Sequence, residues 1–161
     1  MTIQHLFRTT FLGTIVAIGL AACSTTKIED PAEDLRLRTM KPTEGMALIY
    51  FLRPTSAAYG IGMEVTCDGT HIGGNHGKRY FFAHVKPGKR VFVSSAENKA
   101  ELLLVLDAGK TYFIEQKIKM GILTARNQLE RIEEADGRKK LAKCKLSGDC
   151  PAYVPATAAK K

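Results

Sequence analysis

From Gly45 onward the chain breaks into short apolar or alternating runs separated by turn-forming pairs. Residues 47–52 are apolar at every position, which suits a central strand covered on both faces. Arg53-Pro54 ends that run, because proline lacks the N–H a central strand must donate. Residues 61–67 form a second run, and Asp68-Gly69 is a two-residue hairpin signal leading into His71 and Ile72. Gly73-Gly74-Asn75-His76-Gly77 reads as a loop, and residues 80–85 as an aromatic-rich strand. Lys86-Pro87-Gly88-Lys89 is a turn, with proline and glycine at its centre. Residues 90–95 and 101–106 follow as strands, and Asp107-Ala108-Gly109-Lys110 turns the chain into residues 111–120. There Tyr112, Ile114, Ile118 and Met120 share one face, opposite Glu115, Lys117 and Lys119. Residues 127–132 supply one more strand. This pattern predicts a mainly β fold, an antiparallel sandwich or barrel.

One segment departs from it. Residues 133–146 place acids first and bases last, the order that suits a helix dipole, with Ala135, Leu141 and Ala142 as a narrow apolar stripe. Gly137 costs such a helix about 1 kcal/mol. Residues 24–44 hold Thr25, Thr26, Pro31 and Pro42 with mixed charges and read as a tether, with Leu35 and Leu37 in a short strand as the alternative. As a flexible coil this stretch would span about 25 Å. Residues 151–161, with Pro155 and several alanines, read as a mobile tail.

The start of the chain has a different logic. Arg8 is the one fixed side-chain charge before Cys23, and residues 11–22 are uncharged with small residues at their end. That run is too short to span a bilayer, which takes about 20 apolar residues. Leu20-Ala21-Ala22-Cys23 resembles the bacterial lipobox. The resemblance implies cleavage before Cys23, a diacylglyceryl group on its sulfur and an acylated amine. One acyl chain anchors a protein only marginally, whereas two or three, at about 0.8 kcal/mol per buried methylene, hold it durably. Ser24 stands where lipoproteins retained in the inner membrane typically carry Asp, so the implied address is the outer membrane with the body facing the periplasm. An ordinary secreted protein and an uncleaved anchor are the competing readings. The expected organisation is a signal peptide over 1–22, a lipidated N-terminus and tether over 23–44, a sandwich with a C-terminal helix over 45–150, and a tail over 151–161.

The leader carries one of the 24 basic residues and none of the 16 acidic ones, so the mature chain keeps 23 bases against 16 acids, a net +7. For an exported protein such a balance points to lipid phosphates or acidic envelope polymers and not to nucleic acid. Arg138, Lys139, Lys140, Lys143 and Lys145 form the densest basic cluster, either a solvated helix face or, with Lys160 and Lys161, a contact for an anionic surface. Export also places Cys67, Cys144 and Cys150 in an oxidising compartment. The Ser147-Gly148-Asp149 turn set between the last two predicts a Cys144–Cys150 disulfide worth about 2 kcal/mol, leaving Cys67 as a buried apolar side chain.

The order of these pieces resembles a family of small bacterial lipoproteins catalogued as a domain of unknown function. The residues that carry the resemblance are Ala47-Leu48-Ile49-Tyr50-Phe51-Leu52-Arg53-Pro54, the hairpin Val65-Thr66-Cys67-Asp68-Gly69, the aromatic strand and Pro-Gly turn of residues 80–89, and Ala108-Gly109-Lys110-Thr111-Tyr112. It implies a β-sandwich of the transthyretin-like or carboxypeptidase-regulatory kind with one C-terminal helix, and it supplies no catalytic residues.

His71, His76 and His84 fall close together in sequence, with Cys67 nearby. Imidazoles and a thiol are transition-metal ligands. The Asp68-Gly69 turn, however, places Cys67 opposite Thr70 and Thr66 opposite His71, so Cys67 and His71 point to opposite faces. The same register argues against a Cys–His nucleophilic pair. Glu64, Asp68, Glu97, Glu101 and Asp107 sit mainly at strand ends and turns, where acids are solvated. Tyr80, Phe81 and Phe82 read as packing residues. The expectation is a non-catalytic envelope module with no cofactor and no metal, binding membrane lipid through Cys23 and an envelope protein or acidic polymer through its body. The alternative is a small periplasmic enzyme or metal binder using His71, His76 and His84.

Overall fold

The computed structural model describes residues 28, 30–120 and 125–152. The signal segment, the lipobox with Cys23, and the lysines at 160 and 161 lie outside the described residues. A nine-residue helix, α1 (Pro31–Thr39), precedes eight strands: β1 (Ala47–Arg53), β2 (Met63–Cys67), β3 (Thr70–Asn75), β4 (Arg79–Val85), β5 (Gly88–Ser95), β6 (Lys99–Leu106), β7 (Thr111–Met120) and β8 (Ala125–Ile132). Helix α2 (Glu134–Leu141) and a two-residue strand, β9 (Lys145–Leu146), follow. The strands form two sheets, β8-β7-β1-β4-β9 and β3-β2-β5-β6, packed as a β-sandwich. Most pairings are antiparallel, while β1–β7 and β4–β9 are parallel.

The continuous apolar run of β1 is explained by what covers it. All seven of its residues are buried. Phe51 faces the second sheet, stacking on Phe81 at 4.7 Å and meeting Phe92 edge-on. Tyr50 points the other way, stacks on Phe113 at 5.3 Å and donates its hydroxyl to the Leu37 carbonyl of α1 at 2.6 Å. The five-stranded sheet thus lies between the second sheet and the two helices. Tyr80, Phe81 and Phe82 are buried on these two faces, as packing residues should be. Arg53 ends the strand inside the protein, donating to the carbonyls of Ala57, Ala58 and Ile61 at 3.1, 2.6 and 2.5 Å. It shapes the loop after Pro54 by satisfying groups that the bend leaves unpaired.

Four features differ from the sequence expectation. Part of the stretch read as a tether is α1. Its start carries a complete set of helix signals: Asp30 accepts from the Ala32 N–H at 2.8 Å, Pro31 occupies the first turn, and acids precede bases. A stripe is missing because the helix buries chiefly Leu37, so periodicity alone could not find it. Reciprocal arginines dock it: Arg38 donates to the Leu141 and Cys144 carbonyls, and Arg138 returns a bond to the Arg38 carbonyl at 2.8 Å.

Helix α2 is also shorter than expected, ending at Leu141, after which the chain extends into β9. Gly137 is the reason α2 can lie on the sheet, since a Cβ there would sit 2.3 Å from Cγ of Phe113. The expected loop at Gly73 and Gly74 belongs to β3, which carries a bulge opposite Val65 and Thr66. The Cys144–Cys150 disulfide does not form: Cys67, Cys144 and Cys150 are all buried and unbridged. Instead of closing a loop, the chain between the last two runs along β4, with Lys145 beside Arg79, Leu146 beside Tyr80, and the Cys150 thiol against the Phe82 carbonyl. The two thiols are thus held at different positions along β4, Cys144 just before Lys145 beside Arg79 and Cys150 at Phe82, and are not joined.

Candidate functional site

The basic cluster that starts on α2 and runs into β9 is only partly free to meet a ligand. Arg138 is occupied by Glu134 and lies over the Phe113 ring, Lys140 bonds Glu115 at 2.5 Å, and Lys139 lies 3.8 Å from Asp136. Lys143 and Lys145 are exposed and have no carboxylate partner among the described residues. They flank Cys144, whose carbonyl receives Arg38 of α1. The basic edge and the start of the described body are therefore neighbours.

The histidines scatter. His84, on β4, takes a bond from the Thr43 N–H at 3.3 Å, and burial lowers its pKa. It lines a shallow groove of about 340 Å³ with Met46, Cys67, Ile72 and Arg90. That groove brings together a thiol and an imidazole that the chain order separates. The chemistry is nonetheless wrong for a nucleophile, because burial, followed by the charge of Asp68, pushes the Cys67 thiol up to about 11. His84 Nδ1 is already spent on Thr43. His76 lies against Gly62, in another part of the molecule.

His71 has a different environment. Its Nε2 lies 2.7 Å from Glu64 Oε2 and 3.3 Å from Asp149 Oδ2. These three residues each offer one ligand atom within 4.8 Å of the other two. The hairpin places the first pair. Asp68 and Gly69 both take positive φ, +49° and +83°, and the register next to the turn is the expected one, with Cys67 opposite Thr70 and Thr66 opposite His71. The Asp68 carboxylate fixes the turn by accepting from the Val91 N–H and from Arg90, which hold it below the usual carboxylate range.

Beyond Thr66 the bulge moves Gly74, and not Gly73, opposite Glu64. Gly73 then lies under the Phe81 ring on the inner face, and Gly74 lies under Glu64 and Asp149 on the outer face. Asp149 arrives from the segment after β9. Gly74 N–H donates to the Asp149 carbonyl at 3.1 Å, Ser147 Oγ donates to the Gly74 carbonyl at 2.6 Å, and the Asp149 N–H reaches Ser147 Oγ at 3.3 Å. Burial, then the adjacent Glu64 charge, raises the Asp149 pKa, with His71 opposing. Sequence reading singled out Glu64 and His71 separately but missed Asp149, which lies 78 positions beyond His71 in the chain and appeared only as a turn residue.

A family model described as a protein of unknown function (DUF2846) matches residues 43–127. An uncharacterized protein of Haemophilus influenzae is 25% identical over 148 residues, covering 90% of this chain and 87% of its own. No solved structure matches.

Proposed function

The chain belongs to the DUF2846 family of proteins of unknown function, and on that premise we propose that it is a membrane-anchored envelope lipoprotein whose sandwich serves as a non-catalytic binding or structural module. The observation that carries this reading is Leu20-Ala21-Ala22-Cys23 at the end of an uncharged apolar run preceded by Arg8. Acyl chains on Cys23 supply membrane affinity that the body does not provide through a helix: among the described residues no helix is long and apolar enough to cross a bilayer. Ser24 supports the outer membrane as the address, with the body in the periplasm. The docked α1 adds a limit on reach. From Cys23 to Asp30 the chain can extend at most about 25 Å, so the lipidated end holds α1, Lys143 and Lys145 close to the head groups.

The test is metabolic labelling with radioactive fatty acid, followed by fractionation, for wild type and Cys23→Ser. Wild type takes up label and fractionates with the outer membrane, whereas Cys23→Ser takes up none and accumulates as a precursor or a soluble periplasmic form. Wild type without label, or labelled Cys23→Ser, overturns the lipid anchor. An unlabelled variant that stays on membranes shows that the basic edge or a protein partner contributes the attachment.

A further inference from the structure

We propose that Glu64, His71 and Asp149 form a binding site for one divalent transition-metal ion on the outer face of the sandwich, where β2, β3 and the segment after β9 meet. The donor set is two carboxylate oxygens and one imidazole nitrogen. Oxygen-only sites suit magnesium and calcium, while an added imidazole favours a transition ion such as zinc, with manganese, which takes carboxylates, as the second candidate; zinc accepts both donor types at about 2.0–2.2 Å. Bonds of that length at right-angled to tetrahedral angles place ligand atoms roughly 3.0–3.4 Å apart. The two spacings around His71 Nε2 are 2.7 and 3.3 Å. Small side-chain movements therefore bring the three atoms onto one ion. Their side chains are 58, 45 and 43% exposed for Glu64, His71 and Asp149, so the remaining coordination positions open to solvent.

Three observations separate this arrangement from an ordinary surface ion pair. In a chain with 24 lysines and arginines against 16 acids, neither Glu64 nor Asp149 pairs with a basic side chain other than His71 among the described residues. A second observation is independent of charge. A Cβ on Gly74 would lie 2.7 Å from Asp149 Oδ2 and 2.8 Å from Glu64 Oε1, so any side chain there would push both carboxylate ends aside, and glycine lets them converge over the backbone. The bulge in β3 is what brings Gly74, and not Gly73, to that position. Third, the ligands sit on supported backbone. Glu64 and His71 are held by the β2–β3 ladder, and Asp149 by Ser147 and Gly74. Preorganisation of this kind lowers the cost of gathering two negative groups around one ion.

The site does not depend on the lipid anchor, and the experiment keeps the two separate. Full-length protein purified in detergent is dialysed against Zn²⁺, and against Mn²⁺ in parallel, and bound metal and thermal unfolding are measured. Wild type binds one ion per chain and its Tm rises with metal concentration. His71→Asn and Asp149→Asn, both exposed substitutions, lose about tenfold or more in affinity and their metal-dependent Tm rise, while His76→Asn retains both. Gly74→Ala weakens binding by pushing the carboxylate ends aside, and its metal-free Tm reports any folding defect separately. Equal binding by wild type and His71→Asn, or no saturable binding of either ion by wild type, overturns the site.

Discussion

Several residues act here in ways that their type alone would not announce. The three cysteines of the body are thiols, and burial pushes Cys67 and Cys144 up to about 11. A thiol with a pKa near 9 is roughly 10% thiolate at pH 8, and one near 11 is roughly a hundredfold less so. Cys67 and Cys144 of the native protein are therefore expected to label with a thiolate-specific reagent at least about a hundredfold more slowly than a free thiol at pH 8, gaining reactivity only as the pH approaches 11. After denaturation without reductant, Cys67, Cys144 and Cys150 should all label. Mass spectrometry that finds Cys67 alone modified would restore the bridge. Tyr112 is a second such residue. Its hydroxyl accepts the Asp107 N–H at 2.9 Å, and Gly109 donates to the Met46 carbonyl at 2.8 Å. The Asp-Ala-Gly-Lys-Thr-Tyr run thus works as a clamp at the entrance to β7.

Among the elements, α2 shows propensity and packing in opposition. Replacing a mid-helix glycine with alanine ordinarily stabilises by about 1 kcal/mol. At Gly137 the new methyl would meet Cβ and Cγ of Phe113, atoms too close to the backbone to swing aside, and Phe113 is itself stacked under Tyr50. Overpacking costs about 1–3 kcal/mol. Gly137→Ala should therefore lower stability by up to about 2 kcal/mol, the overpacking cost less the propensity gain, read as a lower urea midpoint at unchanged m. A rise in the midpoint would mean that α2 lies farther from β7 than described. The same helix receives α1 through Arg38 and Arg138, so the described element nearest Cys23 in sequence is locked to the last helix of the chain's described residues.

At the scale of the whole molecule, that lock fixes α1 against the basic edge of the body. Lys143 and Lys145 project beside the docked α1, and each basic residue at an anionic surface contributes about 1 kcal/mol. With the proposed anchor removed by Cys23→Ser, the further change Lys143→Glu/Lys145→Glu should weaken binding to phosphatidylglycerol vesicles by at least about tenfold at low salt, with little effect on neutral vesicles. Equal vesicle binding would make this edge a solvated surface. The sequence by itself determined the strands, since local alternation and the Asp68-Gly69, Pro87-Gly88 and Ala108-Gly109 turns are written in neighbouring residues. It likewise determined a mainly β fold, the burial of the aromatic strand and the hairpin register at Cys67 and Thr66, while the choice of sandwich over barrel came from the family resemblance and is borne out by the two sheets. Only the tertiary structure decided features that depend on residues far apart. These are the docking of α1 by carbonyl-seeking arginines, the parallel pairings of β1 with β7 and of β4 with β9, the course along β4 that leaves Cys144 and Cys150 unbridged, and the bulge that puts Gly74 beneath Glu64. The cluster of Glu64, His71 and Asp149 belongs with them. Its members share no local period or spacing, and they meet because β9 runs along β4 and delivers Asp149 to the outer face of the hairpin.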